Sequence, residues 1–133
     1  MPKDKFDILG PLLSEIGGEL AEIVGPDFDG TYLYAEAGPG WVGAGVFKDE
    51  GESVRYFDPS SKICDLLLEA WRTEEPSKRW AVMEYAVKGT RFDTHFQFPE
   101  EIDPNETEME RRPRALLRRF GDKPVIYPPP PSR

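Results

Sequence analysis

Hydrophobic residues in the first part of the chain recur at the spacing of an amphipathic helix. Between residues 6 and 24 they lie on one side and glutamates lie on the other, until Gly25-Pro26 ends the pattern. The apolar positions of this predicted helix are Leu9, Leu12, Leu13, Ile16, Leu20, Ile23 and Val24. A second helical stripe follows a capping segment at 58–61 and ends before Pro76. Its apolar positions are Ile63, Leu66, Leu67, Ala70 and Trp71.

Between these two helices the pattern changes to short runs that favour β-strands. The runs 31–37, 41–47 and 52–57 are separated by segments that contain glycine, and they predict an antiparallel meander. Gly43 and Gly45 lie on the same face of the middle strand. There they leave room for a helix or another backbone to approach closely.

Two further alternating runs meet at Lys88-Gly89 and predict a β-hairpin over residues 79–98. A two-residue turn at these positions places Tyr85 opposite Phe92. This face of the hairpin is apolar, so we expect it to belong to the core.

The other face of the predicted hairpin carries His95, which is the only histidine of the chain. On this face Glu84 lies opposite Asp93, and the alternation places Trp80 there as well. Two carboxylates beside a histidine form a candidate site for acid/base chemistry or for a divalent ion. We favour a simpler interpretation, a solvated strand face on which Arg91 and His95 offset the acids, because the sequence shows neither a cavity nor further ligands.

A third helix is predicted after the hairpin, and it begins within 103–106. Pro113 leaves two alternatives, because it either kinks this helix or opens a separate one that ends at a C-cap on Gly121. Residues 125–127 form a short extended piece, and 128–133 form a proline-rich tail with polyproline II conformation.

The predicted order of elements is therefore α-β-β-β-α-β-β-α, which is typical of an α+β fold. We expect one domain over residues 1–127, followed by the tail at 128–133. The sheet should be antiparallel, with about five strands and with the helices packed on one face. The other face would be left to solvent or to a partner.

The net charge of the chain indicates which class of partner it can bind. There are 25 acidic and 17 basic side chains, so the net charge is −8. This balance disfavours nucleic acid and anionic membranes, and it favours a basic protein partner. A basic run in the third helix is better explained by ion pairs with the glutamates before it than by a nucleic-acid site. The run consists of Arg111, Arg112, Arg114, Arg118 and Arg119, and the glutamates are Glu106, Glu108 and Glu110.

Cys64 is the only cysteine, which excludes an intramolecular disulfide and a thiolate metal cluster. Such usage suggests a reducing compartment, and we expect the cytoplasm. Because Cys64 lies in the second predicted helix, a structural thiol is favoured over a nucleophile. We find no secretion signal, no membrane-spanning stretch and no phosphate-binding, zinc-binding or nucleophile-elbow motif. The sequence therefore predicts no cofactor, no metal and no catalytic residue set.

The chain resembles the YezG-like family of bacterial immunity proteins. The resemblance extends from about Phe6 to Tyr127 and rests on the strands TYLYAEA and WVGAGVF, the helix before Trp80 and the hairpin WAVMEYAVKGTRFDTHFQF. It implies a small α+β protein that neutralises a cognate polymorphic toxin, often a nuclease, by binding it. It implies structural roles for Gly89 and for the hairpin aromatics Trp80, Phe92 and Phe96, and no catalytic residues.

From the resemblance and the charge together we expect stoichiometric binding of a basic toxin. The contacts would be acidic side chains around a few aromatic anchors. The predicted partner-binding residues are Trp41, Asp49, Glu50, Glu52, Tyr56, Glu100, Glu101 and Asp103.

Two alternatives to an immunity protein remain open at the level of sequence. One is a small enzyme or metal-binding protein that uses His95 with Glu84 and Asp93. The other is an interaction module of unknown target that forms a homodimer through the exposed face of the sheet.

Overall fold

A computed structural model describes residues 5–128 of the chain, with side chains described from Leu9 onward. The helices are α1 (Lys5–Val24), α2 (Ser61–Thr73) and α3 (Glu108–Phe120), and two short 3-10 turns span Pro76–Lys78 and Pro99–Glu101. The strands are β1 (Thr31–Gly38), β2 (Trp41–Asp49), β3 (Val54–Phe57), β4 (Val82–Lys88), β5 (Arg91–Gln97) and β6 (Val125–Ile126). Apart from Pro128, the predicted tail lies outside the described residues.

The six strands form one sheet in the order β5-β4-β1-β2-β3-β6. All neighbours are antiparallel except β3 and β6, which are parallel. The α+β class and the predicted order of elements are confirmed. The sheet has one strand more than expected, because the extended piece at 125–127 supplies two residues that pair with β3.

Helices cover both faces of the sheet, so the expectation that they pack on one face is wrong. α1 and α2 lie over the face that carries Leu33 and Ala35, whereas α3 lies over the face that carries Tyr32 and Tyr34. All eight residues of β1 are consequently buried. α3 packs on the sheet through Ala115, Leu116 and Phe120. It also reaches the sheet through the arginines Arg111 and Arg112, and a hydrophobic pattern does not reveal this second kind of contact.

The two helices on the first face are joined to each other and to the sheet by polar contacts. Ser60 is the N-cap of α2, where its Oγ accepts the N–H of Ile63 at 3.1 Å. The same hydroxyl donates to Glu19 in α1 at 2.9 Å. Below α1, the Tyr85 hydroxyl donates to the Leu13 carbonyl at 2.8 Å. These bonds fix α1 above the β4–β5 hairpin.

α3 is one continuous helix that passes through Pro113 and ends at Gly121, whose φ of 69° suits a glycine C-cap. Of the two alternatives that Pro113 left open, the separate helix is therefore excluded. The helix begins at Glu108, with Thr107 as its N-cap, rather than within 103–106. None of the described helices is long and apolar enough to cross a membrane.

The hairpin turn lies one residue later than predicted, at Gly89-Thr90. Tyr85 is therefore opposite Thr94, and not opposite Phe92. The change moves each cross-strand partner by two positions. Because side chains alternate with a period of two, each paired residue keeps its predicted face.

Trp80 is the exception, since it lies in the core and not on the polar face. The N–H of Ala81 donates to the carbonyl of Gln97 at 2.8 Å, although Val82 is the cross-strand partner of Gln97. Two residues thus oppose one, which is the arrangement of a β-bulge. The bulge shifts the alternation by one residue, so that Trp80 is 2% exposed and packs against Phe96.

The paired glycines of α1 give a matched test of this packing. A Cβ at Gly17 would lie 2.6 Å from the Tyr85 hydroxyl, whereas a Cβ at Gly18 would meet nothing within 4 Å. We expect Gly18→Ala to raise the free energy of unfolding by about 0.5–1 kcal/mol, the usual gain in a helix interior. Gly17→Ala should lower it, because the Tyr85 ring must move away. Urea unfolding measures both, and a gain for Gly17→Ala would contradict the packing.

Candidate functional site

The structure brings two of the three candidate catalytic residues together. Glu84 is the direct cross-strand partner of His95, while Asp93 lies two pairs along the ladder, opposite Ala86. One carboxylate oxygen of Glu84 already accepts a hydrogen bond from the Tyr32 hydroxyl. His95 is exposed on a strand at the edge of the sheet. In the described part of the chain no group of three His, Cys, Asp or Glu side chains is arranged to hold a metal ion.

A buried carboxylate lies on the same face of the sheet, in β1. Glu36 is 3% exposed, and its two oxygens accept a fork of hydrogen bonds from Arg111 of α3, at 2.6 Å from Nη2 and 2.9 Å from Nε. The Tyr34 hydroxyl donates to the same carboxylate at 2.6 Å. Burial and this carboxylate raise the pKa of Tyr34 well above its ordinary value. The cluster is fully engaged internally, and its evident role is to hold α3.

α3 also fits over the two glycines of β2. The Arg112 guanidinium lies over the rings of Phe47 and Tyr56, at 5.0 and 5.2 Å from their centroids. A Cβ at Gly45 would lie 2.8 Å from Arg112 Nη2, and one at Gly43 would meet a Glu108 oxygen at 3.1 Å. The prediction that these glycines admit a helix is confirmed.

The basic run of α3 is only partly paired in the way the sequence indicated. Arg112 forms the expected pair with Glu108 at 3.8 Å within the helix, and Arg114 pairs with Glu106 just before the helix begins. The partner of Arg111, by contrast, is the buried Glu36 on the sheet. Nothing in the sequence indicated the contact between Arg111 and Glu36, because Glu36 lies in a mostly apolar strand that is distant from α3 along the chain.

A concave feature lies on the other face of the sheet, between α1, the first 3-10 turn and the end of β5. This aromatic cleft has a volume of about 490 Å³. Its walls are Leu9, Trp80, Phe96 and Phe98, and its border is formed by Glu74, Ser77, Lys78 and Glu100. Among the border residues that the structure describes, Lys78 is the one cation, and it lies 3.9 Å from Glu75, which partly neutralises it. The cleft therefore combines apolar walls with an acidic border.

One predicted partner-binding residue, Glu100, forms part of the border of the aromatic cleft. Glu101 and Asp103 follow in the same exposed segment but line a separate groove, together with Arg111, Arg114 and Arg118 of α3. The Glu101 side chain accepts the Phe98 N–H at 3.2 Å, and Asp103 accepts the Asn105 N–H at 2.9 Å. These hydrogen bonds hold both carboxylates in fixed positions at the surface.

Trp41 lies at the same end of the sheet, because β1 and β5 end there while β2 and β4 begin there. It is 49% exposed, and its indole lies against Gly38 across the turn. Tyr56 is different, since its half-buried ring packs between Phe47 and Tyr127. Burial raises its pKa. Of the two predicted aromatic anchors, only Trp41 is open to a partner over much of its surface.

The other three predicted acidic contacts lie at the opposite end of the sheet. Asp49, Glu50 and Glu52 occupy the β2–β3 turn, about 26 Å from Trp41 if each residue of β2 advances about 3.3 Å. Lys123 contacts Asp49 at 2.9 Å and lowers its pKa, and Arg55 contacts Glu50 at 3.1 Å. The structure thus divides the eight predicted residues between two ends of the sheet. At this second end, two of the three charges already have internal partners.

Cys64 is half-buried in α2, as its sequence position indicated. Burial raises the pKa of its thiol, which lowers the fraction of thiolate. The expectation of a half-buried helical cysteine is therefore confirmed.

The ion pair beneath α3 predicts a large difference between two arginines of the same helix. Arg111→Met leaves the buried Glu36 carboxylate without its cation and should cost about 3–5 kcal/mol of stability. Arg114 pairs with Glu106, and the Arg114 side chain is 55% exposed. Arg114→Met should therefore lower the free energy of unfolding by less than about 1 kcal/mol. Chemical denaturation compares them, and equal losses would show that the buried pair does not anchor α3.

Comparison with known proteins adds no relative: no protein-family model matches the chain, and no curated protein is significantly similar to it.

Proposed function

We propose that the protein is a stoichiometric binding protein, an immunity protein that neutralises a cognate toxin with a basic surface. The proposal joins the resemblance of the hairpin sequence to the shape and charge of one end of the sheet. It assigns no catalytic residue and no cofactor to the chain. The lone cysteine, kept as a thiol, suits action in the cytoplasm.

The observation that carries the proposal is the aromatic cleft with its acidic border. A cleft of about 490 Å³ is large enough to receive one or a few apolar side chains of a partner. Protein interfaces gain most of their affinity where such anchors enter a desolvated pocket that has polar surroundings. Trp41 supplies an exposed aromatic surface at the same end of the sheet.

Charge favours a basic partner at this end. Glu100 borders the cleft, and Glu101 and Asp103 are exposed in the segment that follows it. Added to a net charge of −8, these carboxylates attract a basic protein over long range and raise the rate of encounter. Many toxins that cleave nucleic acid carry basic surfaces for their substrate. An acidic protein placed on that surface would block the substrate without any chemistry of its own.

The rival function, an enzyme or metal-binding protein at His95, has weaker support. An oxygen of Glu84 is engaged by Tyr32, and Asp93 lies opposite Ala86, two pairs along the ladder from His95. In the described part of the chain these three side chains do not form a group arranged to hold a metal ion. We accordingly assign function to the aromatic cleft.

The first test is co-expression with the product of a neighbouring toxin-like gene. The wild-type chain should relieve toxicity and copurify with the toxin in a fixed ratio. Ser77→Trp places a large side chain at the border of the cleft and should abolish both effects. Ser61→Trp, at the exposed first residue of α2 and away from the cleft lining, is the matched control and should retain them. Failure of the wild type to bind or protect would refute the proposal, as would full protection by Ser77→Trp.

The role of charge predicts a difference between the two ends of the sheet. Glu100→Lys should lower the association rate constant with the toxin about three- to tenfold, because a charge at the border of an interface acts mainly on encounter. Glu52→Lys makes the same change of charge at the opposite end and should alter the rate by less than about twofold. Surface plasmon resonance at two salt concentrations measures both, and equal effects would contradict the assignment to the cleft.

A further inference from the structure

β5 presents an open edge on the sheet. Within residues 5–128 no strand pairs with its outer side. Its seven residues pair with β4 in one continuous register and contain no proline. The opposite edge is blunted, because β6 has only two residues and is followed by Pro128 within two positions. β5 is therefore the edge suited to adding a strand.

The register identifies which backbone groups of β5 are free. In an antiparallel hairpin with a two-residue turn, the residues that flank the turn form a hydrogen-bonded pair, and such pairs then alternate along the strands. Arg91 flanks the turn, and the carbonyl of Gln97 accepts a hydrogen bond from the N–H of Ala81, just before β4. The odd-numbered residues of β5 therefore direct their backbone N–H and C=O groups toward β4. Phe92, Thr94 and Phe96 therefore direct their backbone N–H and C=O groups outward.

The sequence FDTHF at 92–96 is complementary to itself in the antiparallel direction. If a two-fold axis passes through Thr94, Phe92 lies opposite Phe96 of the second copy, and Asp93 lies opposite His95 of the second copy. In this arrangement residue 92 pairs with residue 96 of the second copy, and residue 94 pairs with its own equivalent. All of these residues direct their backbone groups outward, so both strands can form the hydrogen bonds of an antiparallel ladder. Each symmetric contact occurs twice.

We propose that two copies of the chain pair through β5, antiparallel and centred on Thr94, and so form one continuous sheet of twelve strands. The partner is a second copy because the strand is complementary to itself: an aspartate meets a histidine twice, and an aromatic pair forms twice.

The surroundings of β5 also admit a second copy. The charged side chains on β5 are Arg91 and Asp93, which sum to zero, so this edge lacks the acidic excess of the whole chain. On the helical face, a groove of about 330 Å³ separates α1 from the strand. Small residues of α1 line it, namely Ser14, Gly17, Gly18 and Ala21. Phe92 borders the same groove and is 38% exposed.

Sedimentation velocity of the full chain over a wide range of concentration tests the pairing without any toxin, so its outcome is independent of the immunity proposal. The wild type should show a reversible monomer–dimer equilibrium. Thr94→Pro removes an N–H that faces outward and does not serve the β4 ladder. It should weaken the dimer at least about tenfold, because it removes the hydrogen bonds on the axis. Thr94→Val keeps the N–H and should dimerise like the wild type.

A second pair of variants applies if Thr94→Pro does not fold. His95→Asp puts like charges opposite each other twice and should weaken the dimer by about tenfold. The exchange Asp93→His with His95→Asp restores both opposite pairs and should recover the dimer. A wild-type chain that stays monomeric at all concentrations would overturn the proposal. So would a dimer that is indifferent to His95→Asp, or one that the exchanged pair fails to restore.

Discussion

The burial of Glu36 in the central part of the sheet is the constraint on which the architecture depends. A carboxylate that is 3% exposed needs a cation and further hydrogen-bond donors, and these come from Arg111 and Tyr34. Because Arg111 belongs to α3, the ion pair fixes the position of that helix on the second face of the sheet. The arginine next to it, Arg112, then lies over Phe47 and Tyr56, where Gly45 leaves space for it.

Closing the second face in this way buries β1 on both sides, and the polar side chains near it are mostly paired with one another. The two ends of the sheet and the edge at β5 remain exposed, as do Met109 and Leu117 on α3 and Ile126 and Tyr127 near β6. One end carries the aromatic cleft and its acidic border, and the other carries a turn whose acids are largely paired. This division is why we place toxin binding at the cleft and self-association at β5.

Sequence patterns predicted the parts of the fold that obey a single local period. α1 and α2 follow the helical stripe, and the faces of β4 and β5 follow strict alternation. The register of the hairpin could not be predicted from alternation, because a slip of two residues leaves the same side chains on each face. Trp80 was placed on the wrong face because one extra residue at Ala81 interrupts the alternation, and a bulge of this kind has no signal in hydrophobicity.

The candidate site was predictable only in part, for related reasons. Glu100, Glu101 and Asp103 stand out by charge, but the cleft that Glu100 borders depends on the bulge that turns Trp80 inward.

Hydrogen–deuterium exchange of the complex with the product of the neighbouring toxin-like gene would locate the binding surface. We expect new protection in residues 76–80 and 96–103 and unchanged exchange in residues 49–53. Protection confined to 49–53, or none at 96–103, would contradict binding at the aromatic cleft.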